Sequence, residues 1–206
     1  MILFEEEAVS PEEASAKERI LKTAIQLLFK TPPENLTTRE IAKEAGVNVA
    51  AIHYYFQTKE NLIAEAYAAA TDIGFHHAMA VFGRKDLSPR DRATQFLKGY
   101  AVGIVEYPNI SRAGFSGMLF AEKASERFSK YLGQMFEALR EAFREMGEED
   151  RKARAGKALA ALSSIILPFL FMGAFRGISG IDYGNRAERD RYIELLVNEL
   201  SSIKEE

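Results

Sequence analysis

The 206-residue chain contains no cysteine, which excludes a disulfide framework, thiolate zinc sites and cysteine nucleophiles together. Nucleophile-elbow, phosphate-loop and HExxH patterns are absent as well, and Gly177-Ile178-Ser179-Gly180-Ile181 is a helix-ending loop. No enzyme and no cofactor is therefore expected. The first ten residues, MILFEEEAVS, offer neither a basic n-region nor a long apolar h-region, so a secretory signal is not expected and a cytoplasmic location is. One further absence is local. Residues 47–57, VNVAAIHYYFQ, carry no charge in a chain that is 28% charged.

Segment after segment repeats at about 3.6 residues, and no convincing alternating strand or internal repeat occurs, so the expected class is all-α. Ile20, Ala24, Leu27 and Leu28 form the stripe of a first helix from about Ser15 to Lys30, which Pro32 and Pro33 end. Thr37-Thr38-Arg39-Glu40 reads as a capping box opening a second helix to Ala45. Gly46 then suits a left-handed C-terminal position, Asn48 a cap for a third helix, and Thr58 a cap for a fourth running to about Phe82. These spans predict an acidic leader over 1–14, a three-helix head over 15–60 and a larger helical body over 61–206.

A helix-turn-helix needs a supporting helix, a tight turn and a short second helix whose exposed N-terminal half enters the major groove. Thr38–Ala45, Gly46-Val47-Asn48 and Val49–Phe56 supply those parts. Ile52 and Phe56, four apart, would fill the inner stripe, leaving Val49, Ala50, Ala51, His53, Tyr54 and Tyr55 outward. The net charge of −3 looks wrong for a nucleic-acid binder until it is divided. Residues 1–14 hold five acids and no base, whereas residues 15–63 hold seven bases against five acids. That net of +2 is a weak electrostatic footprint, but it lies with the motif.

The run TTREIAKEAGVNVAAIHYYFQTKENLIAEAY closely resembles the N-terminal signature of the TetR/AcrR family of bacterial transcriptional regulators. The resemblance covers roughly residues 17–66. It implies a ligand-responsive regulator, by family habit a repressor released from a palindromic operator by a small hydrophobic effector. It also implies roles for matching positions. Thr38 would hold a phosphate through its hydroxyl and backbone N–H, and Arg39 would reach a phosphate or base edge. Val49, Ala50 and Ala51 would meet thymine methyls, His53 and Tyr55 phosphate, Tyr54 a sugar or base edge, and Lys59 the flanking backbone. Two departures stand out: Lys30-Thr31-Pro32-Pro33-Glu34-Asn35 replaces a glycine-aromatic step, and His53 replaces a common tyrosine.

In the larger domain, Ala158 to Phe175 is uncharged over eighteen residues. It meets the lower length limit for a membrane span, but Ser163, Ser164, Pro168 and Gly173 dilute it, and a helix buried on several faces is the better reading. The family resemblance implies a four-helix interface between two copies, assigned to Leu162, Ile166, Phe169, Leu170, Gly173, Ile193, Leu196, Val197 and Leu200. Phe75, Phe96, Tyr100, Phe115, Met118, Phe128, Tyr131 and Met135 are the candidates for lining an effector pocket. Asp72 and His76 share a helix face, but two ligands do not make a metal site. The expected partners are thus double-stranded operator DNA, a small hydrophobic effector and a second copy, without a membrane. The runner-up is a helical ligand carrier or membrane-tethered sensor whose head is an ordinary αα-corner.

Overall fold

The computed structural model describes residues 15–111 and 126–202, and every regular element among them is helical. In chain order these are α1 (Ala16–Leu28), α2 (Thr38–Glu44), α3 (Val49–Phe56), α4 (Lys59–Ala80), α5 (Pro89–Glu106), α6 (Glu126–Glu145), α7 (Arg151–Leu170), α8 (Met172–Ser179) and α9 (Arg186–Ser201). Short 3-10 turns occupy Pro33–Asn35 and Val81–Gly83, and residues 108–111 are helical too. The expected all-α class is what the chain adopts. Phe115 and Met118, both assigned to the effector pocket, lie outside the described residues, as does the side chain of Phe128.

The chain divides into two compact units, one reaching His77 and including the stretch that starts at Tyr107, the other running Ala78–Glu106 and resuming beyond residue 116. A head boundary at residue 60 is therefore too early. Leu62, Ile63, Ala66 and Ala70 of α4 belong to the same buried cluster as Ile20, Leu28, Ile41 and Ile52. An unbroken helix carries no boundary signal, so only its packing reveals where its first half belongs.

Local chemistry accounts for the helix ends of the head. A reciprocal capping box does form, but at Ser15 and Glu18, where the Ser15 hydroxyl accepts from the Glu18 N–H and the Glu18 carboxylate accepts from the Ser15 N–H. At α2 only the forward half is present among the described residues, with Thr37 Oγ1 accepting from the Glu40 N–H at 3.1 Å. Gly46, at φ 64°, ends α2: its N–H donates to the Lys43 carbonyl, and the Val47 N–H reaches back to the Ala42 carbonyl at 3.0 Å. These two bonds satisfy carbonyls that a helix C-terminus leaves open.

In the second unit α5 packs against α6, α7 and α9, and α6 and α7 form an antiparallel hairpin. Along α7 the buried residues Ala158, Ala161, Leu162, Ile165, Pro168 and Phe169 make one stripe. Gly156, Leu159, Ser163, Leu167 and Leu170 make an exposed stripe on the other side. By length and composition α7 could cross a membrane, yet it is neither uniformly apolar nor buried on several faces. Pro168 cannot donate to the Ser164 carbonyl; the Tyr192 hydroxyl donates there instead, at 3.3 Å. The helix breaks at Phe171 (φ −127°, ψ 38°), so the uncharged run from 158 to 175 is two helices.

Several carboxylates are held below their usual range. The Ser15 N–H does this to Glu18, Arg84 to Asp86, Arg144 to Glu141, Lys157 to Glu148, and the Ala153 N–H to Asp150. Burial raises the hydroxyls of Tyr67, Tyr100 and Tyr192. A depressed carboxylate contributes stability above its unfolded value, and this is lost as pH falls through the folded one. A raised phenol contributes below its unfolded value, and this is lost as pH rises beyond it. Thermal melts should accordingly show a Tm plateau near neutrality that falls below about pH 4 and again above about pH 10.

Candidate nucleic-acid interface

Eight residues give α3 little surface with which to hold itself in place. Ile52, fully buried, and Phe56 are its two buried residues, and Asn48 Oδ1 fixes its start by accepting from the Ala50 N–H at 2.9 Å. Lys17 of α1 lies over the Phe56 ring, 5.4 Å from its centroid, and is tied to Glu65 of α4 at 3.1 Å.

The outward surface is narrower than its spacing implies. Ala50, His53, Tyr54 and Tyr55 are exposed, with Tyr54 at 80% and its ring edge-on to Tyr55 at 4.9 Å between centroids. Val49 and Ala51, by contrast, are half-buried and pack against the head core. Both lie beside the Ile52 stripe, which is wider than the two-residue reading allowed. Arg39 is exposed, Thr38 and Lys59 are half-buried, and among the described residues Arg39 and Lys59 make no ion pair.

The exit from α3 holds a feature that the sequence does not announce. Gln57 adopts φ 66°, ψ −51°, the centre of a strained three-residue turn that residues other than glycine rarely take. Thr58 N–H closes it onto the Phe56 carbonyl at 2.7 Å, and Asn61 Nδ2 donates to the same carbonyl at 3.1 Å. The His53 Nδ1–H donates to the Gln57 carbonyl at 3.2 Å. A carbonyl only accepts, so the neutral ring carries its proton on Nδ1 and presents a lone pair, not a donor, at Nε2.

Residues 20–66 match the sequence model described as bacterial regulatory proteins, tetR family. Over its head, then, the chain is similar to the TetR family. YttP of Bacillus subtilis is 42% identical over 57 residues, 26% of this chain and 28% of that protein. The class C tetracycline repressor of Escherichia coli is 32% identical over 87 residues, 41% of this chain and 36% of that protein. The matched parts thus span about a third of those curated relatives. A TetR transcriptional regulator from Legionella pneumophila shares the fold, at TM-score 0.61 and 18% identity over 90% of this chain and 97% of that one.

The body departs from several sequence expectations. Phe96 and Met135 are core residues, while Phe75, Tyr100 and Tyr131 are half-buried. None of them lines the cleft found within the body, which lies between α5 (Ala101, Ile104, Val105), α7 (Ser164, Ile165, Phe169) and Tyr183, Arg189 and Tyr192. Of the interface residues, Leu162 and Phe169 face inward and Ile193 and Val197 are fully buried within a single chain, so none of these four is on a surface open to a second copy. Ile166, Leu196 and Leu200 are half-buried, Leu170 and Gly173 exposed. The large exposed apolar residues are instead Leu159, Leu167, Phe171, Ile178 (82%) and Leu195, along with Leu170. A 3.6-residue stripe shows that a helix has an apolar face, but α7 has two, and the sequence does not say which meets its own core.

Replacing Ile52 by alanine should destabilise the head by about 2–5 kcal/mol, read as loss of Tm. Gln57→Gly should instead hold or raise Tm, because glycine adopts the positive φ without penalty.

Proposed function

We propose that this chain is a dimeric transcriptional repressor of the cytoplasm that binds a near-palindromic operator and is released by a small hydrophobic effector. The observation that carries the reading is the uncharged, aromatic outer face of α3, flanked by Arg39 and Lys59, which make no ion pair among the described residues. In this reading Tyr54 packs on sugar or a base edge, Ala50 meets thymine methyls, and Tyr55 bonds phosphate. Val49 and Ala51 contribute the edge that they leave uncovered. Thr38, at the first turn of α2, and Arg39 hold one phosphate stretch, and Lys59 holds the next. Two copies would place their α3 helices in successive major grooves, about 34–36 Å apart. The exposed residues Leu167, Leu170 and Phe171 then lie between the copies, where burial replaces their contact with water.

His53 has a specific part. With Nδ1–H committed to the Gln57 carbonyl, the ring has only Nε2 left to offer the DNA backbone.

The decisive experiment is a gel shift on the chain's own promoter region. Tyr54→Ala should weaken specific binding about tenfold and leave Tm and dimer mass unchanged; a stable wild-type dimer that ignores this DNA at low salt would sink the reading. Phe171→Glu with Leu167→Glu should give a monomer by light scattering and lose operator affinity with it.

A further inference from the structure

The end of the α6–α7 hairpin brings four arginines together. The Gly147 N–H donates to the Arg144 carbonyl at 3.0 Å and the Glu148 N–H to the Phe143 carbonyl at 3.1 Å, which closes α6 with Gly147 at φ 99°. Asp150 opens α7 by accepting from the Ala153 N–H at 2.7 Å. With both ends fixed, Arg140 and Arg144 of α6 and Arg151 and Arg154 of α7 line one open hollow of about 290 Å3, near the lower limit of small-molecule sites. Glu141 completes the lining, so every residue in it is charged. Each of the four arginines is at least partly exposed, and their guanidiniums are open to a ligand from water.

Helix stability does not favour this arrangement. Cations are unfavourable at a helix N-terminus, yet the first turn of α7 carries Arg151, Lys152 and Arg154 and no acid. Arg140 and Arg144, four apart on α6, are a like-charge pair. Nearby acids answer only part of this charge: Glu137 pairs with Arg140 and Glu141 with Arg144, while Glu145 is taken by Arg92 and Glu148 by Lys157. Arg154 reaches the Glu148 carbonyl at 3.4 Å, and Arg151 makes no ion pair or side-chain hydrogen bond among the described residues. Glu141 accepts from Arg144 Nε at 2.9 and 3.0 Å; that bond, with the field of Arg154 and Arg140, holds its carboxyl below the usual range. The hollow already favours negative charge. We propose that it binds a small molecule through a diphosphate group held between the arginines of α6 and those of α7. A phosphoryl group offers three acceptor oxygens and up to two charges, and guanidinium forks match it. Two linked phosphoryl groups can answer all four arginines, which one carboxylate cannot. The site lies wholly in the second unit and does not depend on operator binding.

The test uses the full chain without DNA, so a failure of operator binding leaves it readable. Pyrophosphate, ADP, orthophosphate and sulfate are titrated by calorimetry and thermal shift at matched ionic strength, which removes general screening. Pyrophosphate and ADP should bind about tenfold tighter than orthophosphate or sulfate. Binding of pyrophosphate with exclusion of ADP would support the site and assign it to the free ion. Arg151→Gln with Arg154→Gln should weaken pyrophosphate about tenfold or more and hold or raise Tm without ligand, because cations leave a helix N-terminus. Arg39→Gln, in the head, should change neither. No heat or shift with pyrophosphate at about 10 mM, equal affinity for all four anions, binding that survives the double substitution, or binding lost in Arg39→Gln would each overturn the proposal, the last placing the anion at the head. Should the double variant fail to fold, Arg151→Gln alone, at an exposed side chain, gives the same comparison.

Discussion

Ile52 and Phe56, with the inner edges of Val49 and Ala51, hold the α3 helix. With Ile52 and Phe56 committed inward, α3 spends its whole buried face on attachment, and its ends must be fixed by hydrogen bonds instead of burial. Asn48 does so at the start, and the strained turn at Gln57 does so at the end. The same economy explains the aromatic outer face. A short helix with a charged outer face would lean on long side chains that lose entropy when ordered, whereas tyrosine presents a large contact area with few rotors. In the proposed reading phosphate attraction falls to α2 and the start of α4, both of which are anchored by the wider head core.

The body works under the opposite constraint. Helix α7 is long, nearly free of charge after its first two turns, and apolar on two sides. One side is consumed by α5, α6 and α9. Pro168 is tolerated within it only because Tyr192 of α9 satisfies the carbonyl that the proline abandons. This hydrogen bond also brings Tyr192, edge-on to Tyr183, to the cleft that Arg189 lines. A local defect in one helix thus positions part of the wall of a narrow cleft between helices.

The head was legible because each of its signals is local. Gly46, Asn48, Thr58 and the spacing of Ile52 and Phe56 act within one or two turns, and the structure uses all of them. The reach of α4 into the head, the inward turn of Ile193 and Val197, and the half-burial of Val49 and Ala51 were not legible, because each depends on which neighbour arrives. Phe96 and Met135 show the same limit. Large apolar side chains look alike whether they fill a core or line a pocket, and here both fill the core. Arg189 was missed for the converse reason: periodicity counts arginine as a surface residue, so its place on the Ile193–Val197 stripe reads as an interruption.

Local inconsistency is therefore the more informative signal once coordinates are known. A sequence that specifies one fold satisfies propensity, patterning and polar pairing together, and departures concentrate where another demand competes. Three occur here. Gln57 accepts a backbone conformation suited to glycine, beside the outer face of α3; Leu167, Leu170 and Phe171 remain in water along α7 and its break; Arg189 is buried with two donors open. In the proposed reading DNA would lie against α3 and a second copy against α7, beside the first two of these departures. Stability alone would favour glycine, polar side chains and an aliphatic one at those positions.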